Sequence, residues 1–157
     1  MITTIHQDLL SDIQPNTIIL HQVNCLGLMG SGLALQIRNK WSNVYSEYRK
    51  FCQDNPNPLG KIHLVGVEKN TIICNAFGQM GISRTKLMTD YGVWKLRILP
   101  KLHMTLELLE QKTSIRWKIR CPFGIGCGLG GGNWDTMLGL IENEFKDSKF
   151  EFCICKL

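Results

Sequence analysis

IRWKIRCPFGIGCGLGGGNWD, residues 115–135, decides how the rest of the chain is read. Ile115, Trp117 and Ile119 alternate with Arg116, Lys118 and Arg120, the period-2 pattern of a strand with unequal faces. Between Gly124 and Gly132 six of nine residues are glycine, so the backbone can take positive φ angles and let a ligand approach its N–H groups. Apolar residues return at Trp134, Met137, Leu138, Ile141 and Phe145 with helical spacing, and Asn133 stands where an N-cap belongs. Strand, glycine loop and helix in series aim several amides and the positive end of a helix dipole at one point. That arrangement predicts an anion site, most simply for phosphate.

Gly126, Gly128 and Gly131 satisfy G-x-G-x-x-G literally, yet a dinucleotide fold needs an acidic residue after the next strand and further βαβ units. Here the next strand, residues 150–155, is followed by two residues. No Gly-Lys-Ser/Thr follows the glycines, which excludes a Walker loop. A second strand-glycine-helix unit lies upstream: residues 17–23 read as a strand, then come Gly27, Gly30 and Gly32. Leu33, Ala34, Ile37, Trp41, Val44, Tyr45, Tyr48 and Cys52 then keep helical spacing, with Ser42-Asn43 as a point of division. Two such loops facing each other suit the two phosphates of a pyrophosphate.

The remaining segments complete an α/β pattern. Residues 1–6 form a short β-like run, and residues 61–67 and 71–76 form two strands around the turn Glu68-Lys69-Asn70. Helical spacing resumes at Tyr91, Trp94, Ile98, Leu102, Leu106 and Leu109, where Pro100 is expected to kink or split the helix. Alternating strands and helices imply one layered domain over residues 1–157, with helices on both faces of a largely parallel sheet. Ligands of such sheets sit beyond the carboxyl ends of the strands, where both loops fall.

Composition narrows the partners. A hydrophobic fraction of 44% and a charged fraction of 20% are ordinary for a globular chain. The net charge of +5 favours an anionic ligand, but the basic residues are scattered without a stacked-aromatic motif, so no nucleic-acid partner is expected. No apolar run has the length of a membrane span and the N-terminus lacks a signal peptide, which predicts a cytoplasmic protein. Seven cysteines without a CxxC pair read as free thiols, and no metal site or cofactor is expected. A monomer is expected.

The residues resemble the macrodomains, which bind ADP-ribose. The resemblance runs through Asp8-Leu9-Leu10, HQVNCLGLMGSGLA, Asn75-Ala76-Phe77-Gly78-Gln79 and FGIGCGLGGGNW. Within that superfamily the chain looks most like the branch holding the yeast ADP-ribose 1''-phosphate phosphatase, phage-borne relatives, and hydrolases that free ADP-ribose from glutamate esters. The resemblance implies a three-layer α/β/α sandwich around a mixed, largely parallel sheet. It implies that Asp8 accepts from the adenine amino group with Leu9 beside it, and that Asn24 meets the distal ribose. Met29, Gly30, Ser31 and Gly32 match the first phosphate loop, and Gly126, Cys127, Gly128, Leu129, Gly130 and Gly131 the second. Phe77 and Gln79 are implied near the adenine or distal ribose.

The departures bear on chemistry. The glutamate-ester hydrolases carry a lysine after the fourth strand and an aspartate in the second loop, whereas this chain has no lysine in residues 74–80 and has Gly130 in that loop. CNAFGQMG also differs from the basic and aromatic signature of macrodomains that act on ADP-ribosylated DNA. His21, three residues before Asn24, matches a histidine of the phosphatase-like members, and an imidazole can orient a water or move a proton near neutral pH. Asp90, Asp135 and Cys127 are weaker candidates, since a cysteine phosphatase needs an arginine where Asn133 stands. The expected function is metal-independent hydrolysis of the phosphate monoester of ADP-ribose 1''-phosphate. The alternatives are ester hydrolysis on ADP-ribosylated protein and ADP-ribose binding without turnover.

Overall fold

The computed structural model describes residues 1–83 and 85–157. Its strands are β1 (Ile2–His6), β2 (Thr17–Val23), β3 (Ile62–Val67), β4 (Thr71–Phe77), β5 (Lys118–Pro122) and β6 (Phe152–Lys156). Its helices are α1 (Gly32–Lys40), α2 (Ser42–Asp54), α3 (Tyr91–Val93), α4 (Leu99–Thr113) and α5 (Trp134–Phe145). The strands form one sheet in the order β1-β6-β5-β2-β4-β3, parallel throughout except for β3 against β4. Lys69 and Asn70 both take positive φ (56° and 51°), as a tight hairpin between antiparallel β3 and β4 requires.

Both faces of the central strand are covered, so every β2 residue but Gln22 is buried, around the apolar run Ile18-Ile19-Leu20. Ile18 and Leu20 pack with Ile98, Leu102 and Leu106 and with Met137, Ile141 and Phe145 of α5. Ile19 and Val23 pack on the opposite face with Ile37, Trp41, Val44 and Tyr48 of the α1/α2 side. The result is the expected three-layer α/β/α sandwich. The break between α1 and α2 falls at Trp41, whose φ/ψ of −135°/89° leave the helical region.

The division expected at Pro100 falls just ahead of it: Trp94–Ile98 form a widened π turn between α3 and α4, in which the Leu99 N–H bonds the Trp94 carbonyl, five residues back. The extra residue in that turn makes room for the proline ring and its missing N–H at the start of α4. The strand expected from Ile115 begins at Lys118, with Ile115 and Arg116 exposed. Arg120, assigned to the open face, is only 4% exposed. Its guanidinium donates to the carbonyls of Ser11 (3.1 Å) and Asp8 (3.1 Å), because both faces of β5 are covered and the charge is satisfied by the segment after β1.

Candidate functional site

A cavity of about 720 Å³ opens at the carboxyl ends of β2, β4 and β5. Its wall takes His21, Gln22 and Asn24 from the end of β2, and Gly30 through Ala34 from the first loop and the start of α1. Gln79 and Ile82 come from the segment after β4, and Phe123 to Gly126 and Gly128 to Gly130 from the second loop. Among the described residues, none that lines it carries a permanently charged side chain. An anion there would meet only neutral groups: backbone N–H, the amide and hydroxyl side chains of the wall, and the His21 imidazole.

The first loop delivers a bare helix end. Ser31 sits at the N-cap of α1 without a side-chain capping bond, so the first-turn N–H groups of Gly32, Leu33 and Ala34, residues that line the cavity, are unsatisfied by a cap. A helix N-terminus of this kind favours an anion by about 0.3–1 kcal/mol beyond its direct hydrogen bonds. Asn24 braces the loop leading to it: Oδ1 accepts from the N–H of Leu26 (2.9 Å) and Nδ2 donates to the carbonyl of Leu28 (2.9 Å). Tyr48 of α2 donates its hydroxyl to Asn24 from beneath.

The second loop is held by a neutral polar network. Trp94 Nε1 donates to Gln22 Oε1 (2.7 Å), and Gln22 Nε2 donates to Gln79 Oε1 (2.7 Å) and to Thr89 Oγ1 (3.0 Å). Thr89 passes its own proton to the carbonyl of Gly126 (2.6 Å), while the N–H groups of Met88 and Thr89 bond the carbonyl of Gly130. A Cβ on Gly130 would collide with Thr89 Oγ1 and lie 2.7 Å from both Gln22 Nε2 and the Gly126 carbonyl. The space that an acidic side chain would need at position 130 is therefore already filled.

His21 is 2% exposed. Burial lowers its pKa from 6.5 to about 4, partly offset by its hydrogen bond to Asn75, so the ring is neutral at physiological pH. Nε2 lies 2.6 Å from Asn75 Oδ1. With that oxygen as acceptor, the proton sits on Nε2 and Nδ1 keeps its lone pair.

Of the residues singled out in the sequence, His21, Asn24, Gly30, Ser31, Gly32, Gln79, Gly126, Gly128, Leu129 and Gly130 share this one wall. The others lie apart from it. Phe77 is fully buried and stacks on Tyr48 (5.8 Å) and Phe51 (5.3 Å), and Met29 and Leu9 pack in the same core. Asp8 is exposed, its Oδ1 accepting from the Leu10 N–H at 3.0 Å in a local turn. Burial pushes the Cys127 thiol above its ordinary value, which keeps it protonated. Asp90 caps α3 by accepting from the Val93 N–H. Asn133 caps α5 as expected, accepting from the Thr136 N–H at 3.1 Å, but the cavity wall ends at Gly130 and the α5 terminus is no part of it. Sequence reasoning missed Gln22, Thr89, Trp94 and Phe123. Gln22 was findable, being an amide beside His21 at the end of an otherwise buried strand that feeds the first loop.

No family model matches the chain. A DNA ADP-ribosyl transferase-DNA ADP-ribosyl glycohydrolase fusion protein from Thermosipho africanus is 27% identical over 128 residues, 73% of this chain and 32% of that protein. A DNA ADP-ribosyl glycohydrolase from Mycobacterium tuberculosis is 34% identical over 47 residues, 30% of this chain and 13% of that one. The chain thus spans about a third or less of the length of these curated relatives. Among solved structures, a protein of unknown function from Bacteroides thetaiotaomicron superposes with a TM-score of 0.84 at 26% identity, covering 100% of this chain and 98% of its own. The macrodomain of Thermus aquaticus DarG gives a TM-score of 0.77 at 20% identity over 100% of this chain and 99% of its own. A Streptomyces coelicolor macrodomain gives 0.77 at 21% over 99% and 98%. The protein has the macrodomain fold.

Proposed function

We propose that the protein binds ADP-ribose across this cavity and hydrolyses the phosphate monoester of ADP-ribose 1''-phosphate without a metal. One observation carries the reading: a wall built of backbone amides and a bare helix end, with His21 as its titratable side chain. The two glycine loops supply donors for the pyrophosphate, Asn24 offers its remaining amide N–H to the distal ribose, and the adenine extends past the lining residues to Asp8 beside Leu9. Phosphoryl transfer asks a protein for positioning and charge stabilisation more than for covalent chemistry, and preorganised N–H groups supply both. A water attacks phosphorus, the neutral His21 accepts the water proton through Nδ1, and the bond from phosphorus to the 1''-oxygen breaks as that oxygen takes up a proton from solvent, leaving ADP-ribose and inorganic phosphate. The test is release of inorganic phosphate from ADP-ribose 1''-phosphate, in EDTA, by the native chain and by His21→Ala. The reading predicts turnover that survives EDTA and falls about 10²- to 10⁴-fold in the variant. Wild-type turnover in His21→Ala would remove the residue from the mechanism.

A second reading, release of ADP-ribose from modified DNA, draws support from the activities for which the curated relatives are named. Among the described residues of segments 24–33, 78–89 and 122–134, which include most of the cavity lining, Lys86 is basic and none is acidic, which suits a polyanionic carrier. It would bring in the nucleic-acid partner that composition did not suggest. The same assay run on ADP-ribosylated single-stranded DNA and on an ADP-ribosylated protein separates the readings by which product appears.

A further inference from the structure

A row of hydrogen bonds crosses the sheet from the cavity toward its edge. His21 on β2, Asn75 on β4 and His63 on β3 are register partners, so their side chains stand next to one another on one face. Asn75 is fully buried, with Oδ1 2.6 Å from His21 Nε2 and Nδ2 3.2 Å from His63 Nδ1. His63 is half-buried, stacks on Phe51 of α2 at 4.5 Å between ring centres, and has Glu47 of the same helix as its neighbouring charge. The reaction proposed above uses neither Asn75 nor His63.

The geometry points to Asn75 and His63 as positioning residues that fix which nitrogen of His21 carries the proton. This rests on the reading of His21 as the base in the cavity wall. A carboxamide has one accepting end and one donating end, so only two polarities of the row are self-consistent. In the first, His21 Nε2–H donates to Asn75 Oδ1 and Asn75 Nδ2 donates to an unprotonated His63 Nδ1. In the second the amide is turned, His63 donates, and His21 carries its proton on Nδ1. The distances select the first: 2.6 Å is short even for an N–H···O bond, while the longer 3.2 Å contact falls to the pair of nitrogens.

In the first polarity Nδ1, the ring nitrogen that Asn75 does not engage, is left as an acceptor on a residue of the cavity wall, as a base requires. A protonated His63 has an N–H at both nitrogens and cannot accept from Asn75, so only the second polarity remains and His21 then offers the cavity a donor. Burial holds His63 below its ordinary pKa, with Glu47 opposing, which favours the first polarity at neutral pH. A residue two strands away therefore sets whether the cavity imidazole is a base or a hydrogen-bond donor.

The test is nitrogen-detected NMR of the histidine rings in the full ¹⁵N-labelled chain at neutral pH. Nε2 of His21 is expected to be protonated and Nδ1 unprotonated. His63→Phe keeps the stack on Phe51 and removes the acceptor, so a measurable share of His21 should move to the Nδ1–H form, with kcat falling in proportion to the share that moves and KM unchanged. Asn75→Asp leaves an acceptor beside His21, so the Nε2–H form persists and the ring titrates at higher pH. His63→Phe keeps the idea testable if the buried Asn75 variant fails to fold. A wild-type His21 protonated on Nδ1, or a His63→Phe protein with an unaltered His21 tautomer, overturns the proposal. Absence of phosphatase turnover in the native chain would instead strike the catalytic reading, because the tautomer is read without substrate.

Discussion

Gly30 of the first loop would carry a Cβ into open space, whereas Gly130 and Gly132 of the second would drive one into Thr89, Gln22 or the Gly126 carbonyl. The helix ends behind the loops differ in the same direction. α1 starts at the cavity with no side-chain cap, while α5 is capped by Asn133 and stays outside the wall. Gly30 leaves room for something not of the chain, as Gly128 does in the second loop, while Gly130 and Gly132 leave room for the chain itself. The Gly130–Gly132 part of the second loop is thus a finished cradle, and the first loop with Gly128 is the side on which a ligand completes the bonding.

The largest effect should come from forcing a side chain into the finished side. Gly130→Asp, which restores the residue of the ester hydrolases, meets the Gln22–Thr89 network and buries a charge without a partner. Overpacking and desolvation together should cost about 3 kcal/mol or more, a fall in Tm of about 6–12 °C for a chain of this size. Thermal unfolding followed by circular dichroism would show it. An unchanged Tm would mean that the second loop adapts as freely as the first.

Between the loops, His21 ties stability to pH. Its folded pKa of about 4 lies below the unfolded value of 6.5, so the contribution is complete above pH 6.5 and is lost as pH falls through the window between 6.5 and about 4. The span is worth about 3 kcal/mol at 1.36 kcal/mol per unit. Denaturant midpoints from pH 7 to pH 4 should fall more steeply for the native chain than for His21→Phe; parallel curves would place the ring in a more solvated setting.

Smaller changes sharpen the contrast. Thr89→Val deletes the bond to the Gly126 carbonyl and a partner of Gln22, at an expected cost of about 1–3 kcal/mol, and should weaken ligand binding by loosening the cradle. Asn133→Ala removes the α5 cap for about 1 kcal/mol but should leave affinity untouched, since that helix end is outside the wall. Binding lost with Asn133 would return α5 to the site.

The layered fold, the β2 strand, the α1/α2 break and the Asn133 cap were all legible, because each rests on local periodicity or turn chemistry. The helix end that faces the cavity was not, because both loops show the same strand-glycine-helix pattern and only tertiary packing decides which end is left bare. Arg120 was misplaced for a related reason. Alternation with Arg116 and Lys118 suggested solvent, yet the carbonyls that satisfy its charge lie more than a hundred residues away in the chain. Gln22, Thr89 and Trp94 are likewise joined only by the fold.

The most direct measurement is calorimetric titration of the native chain and Gly30→Val with ADP-ribose and with AMP. The native chain should bind ADP-ribose one-to-one and AMP at least about tenfold more weakly, a difference of about 1.4 kcal/mol or more. Gly30→Val, whose Cβ meets nothing of the protein within 4 Å, should stay folded and lose ADP-ribose binding. Equal affinity for the two ligands, or a folded Gly30→Val that binds as the native chain does, would contradict a pyrophosphate held between the two loops.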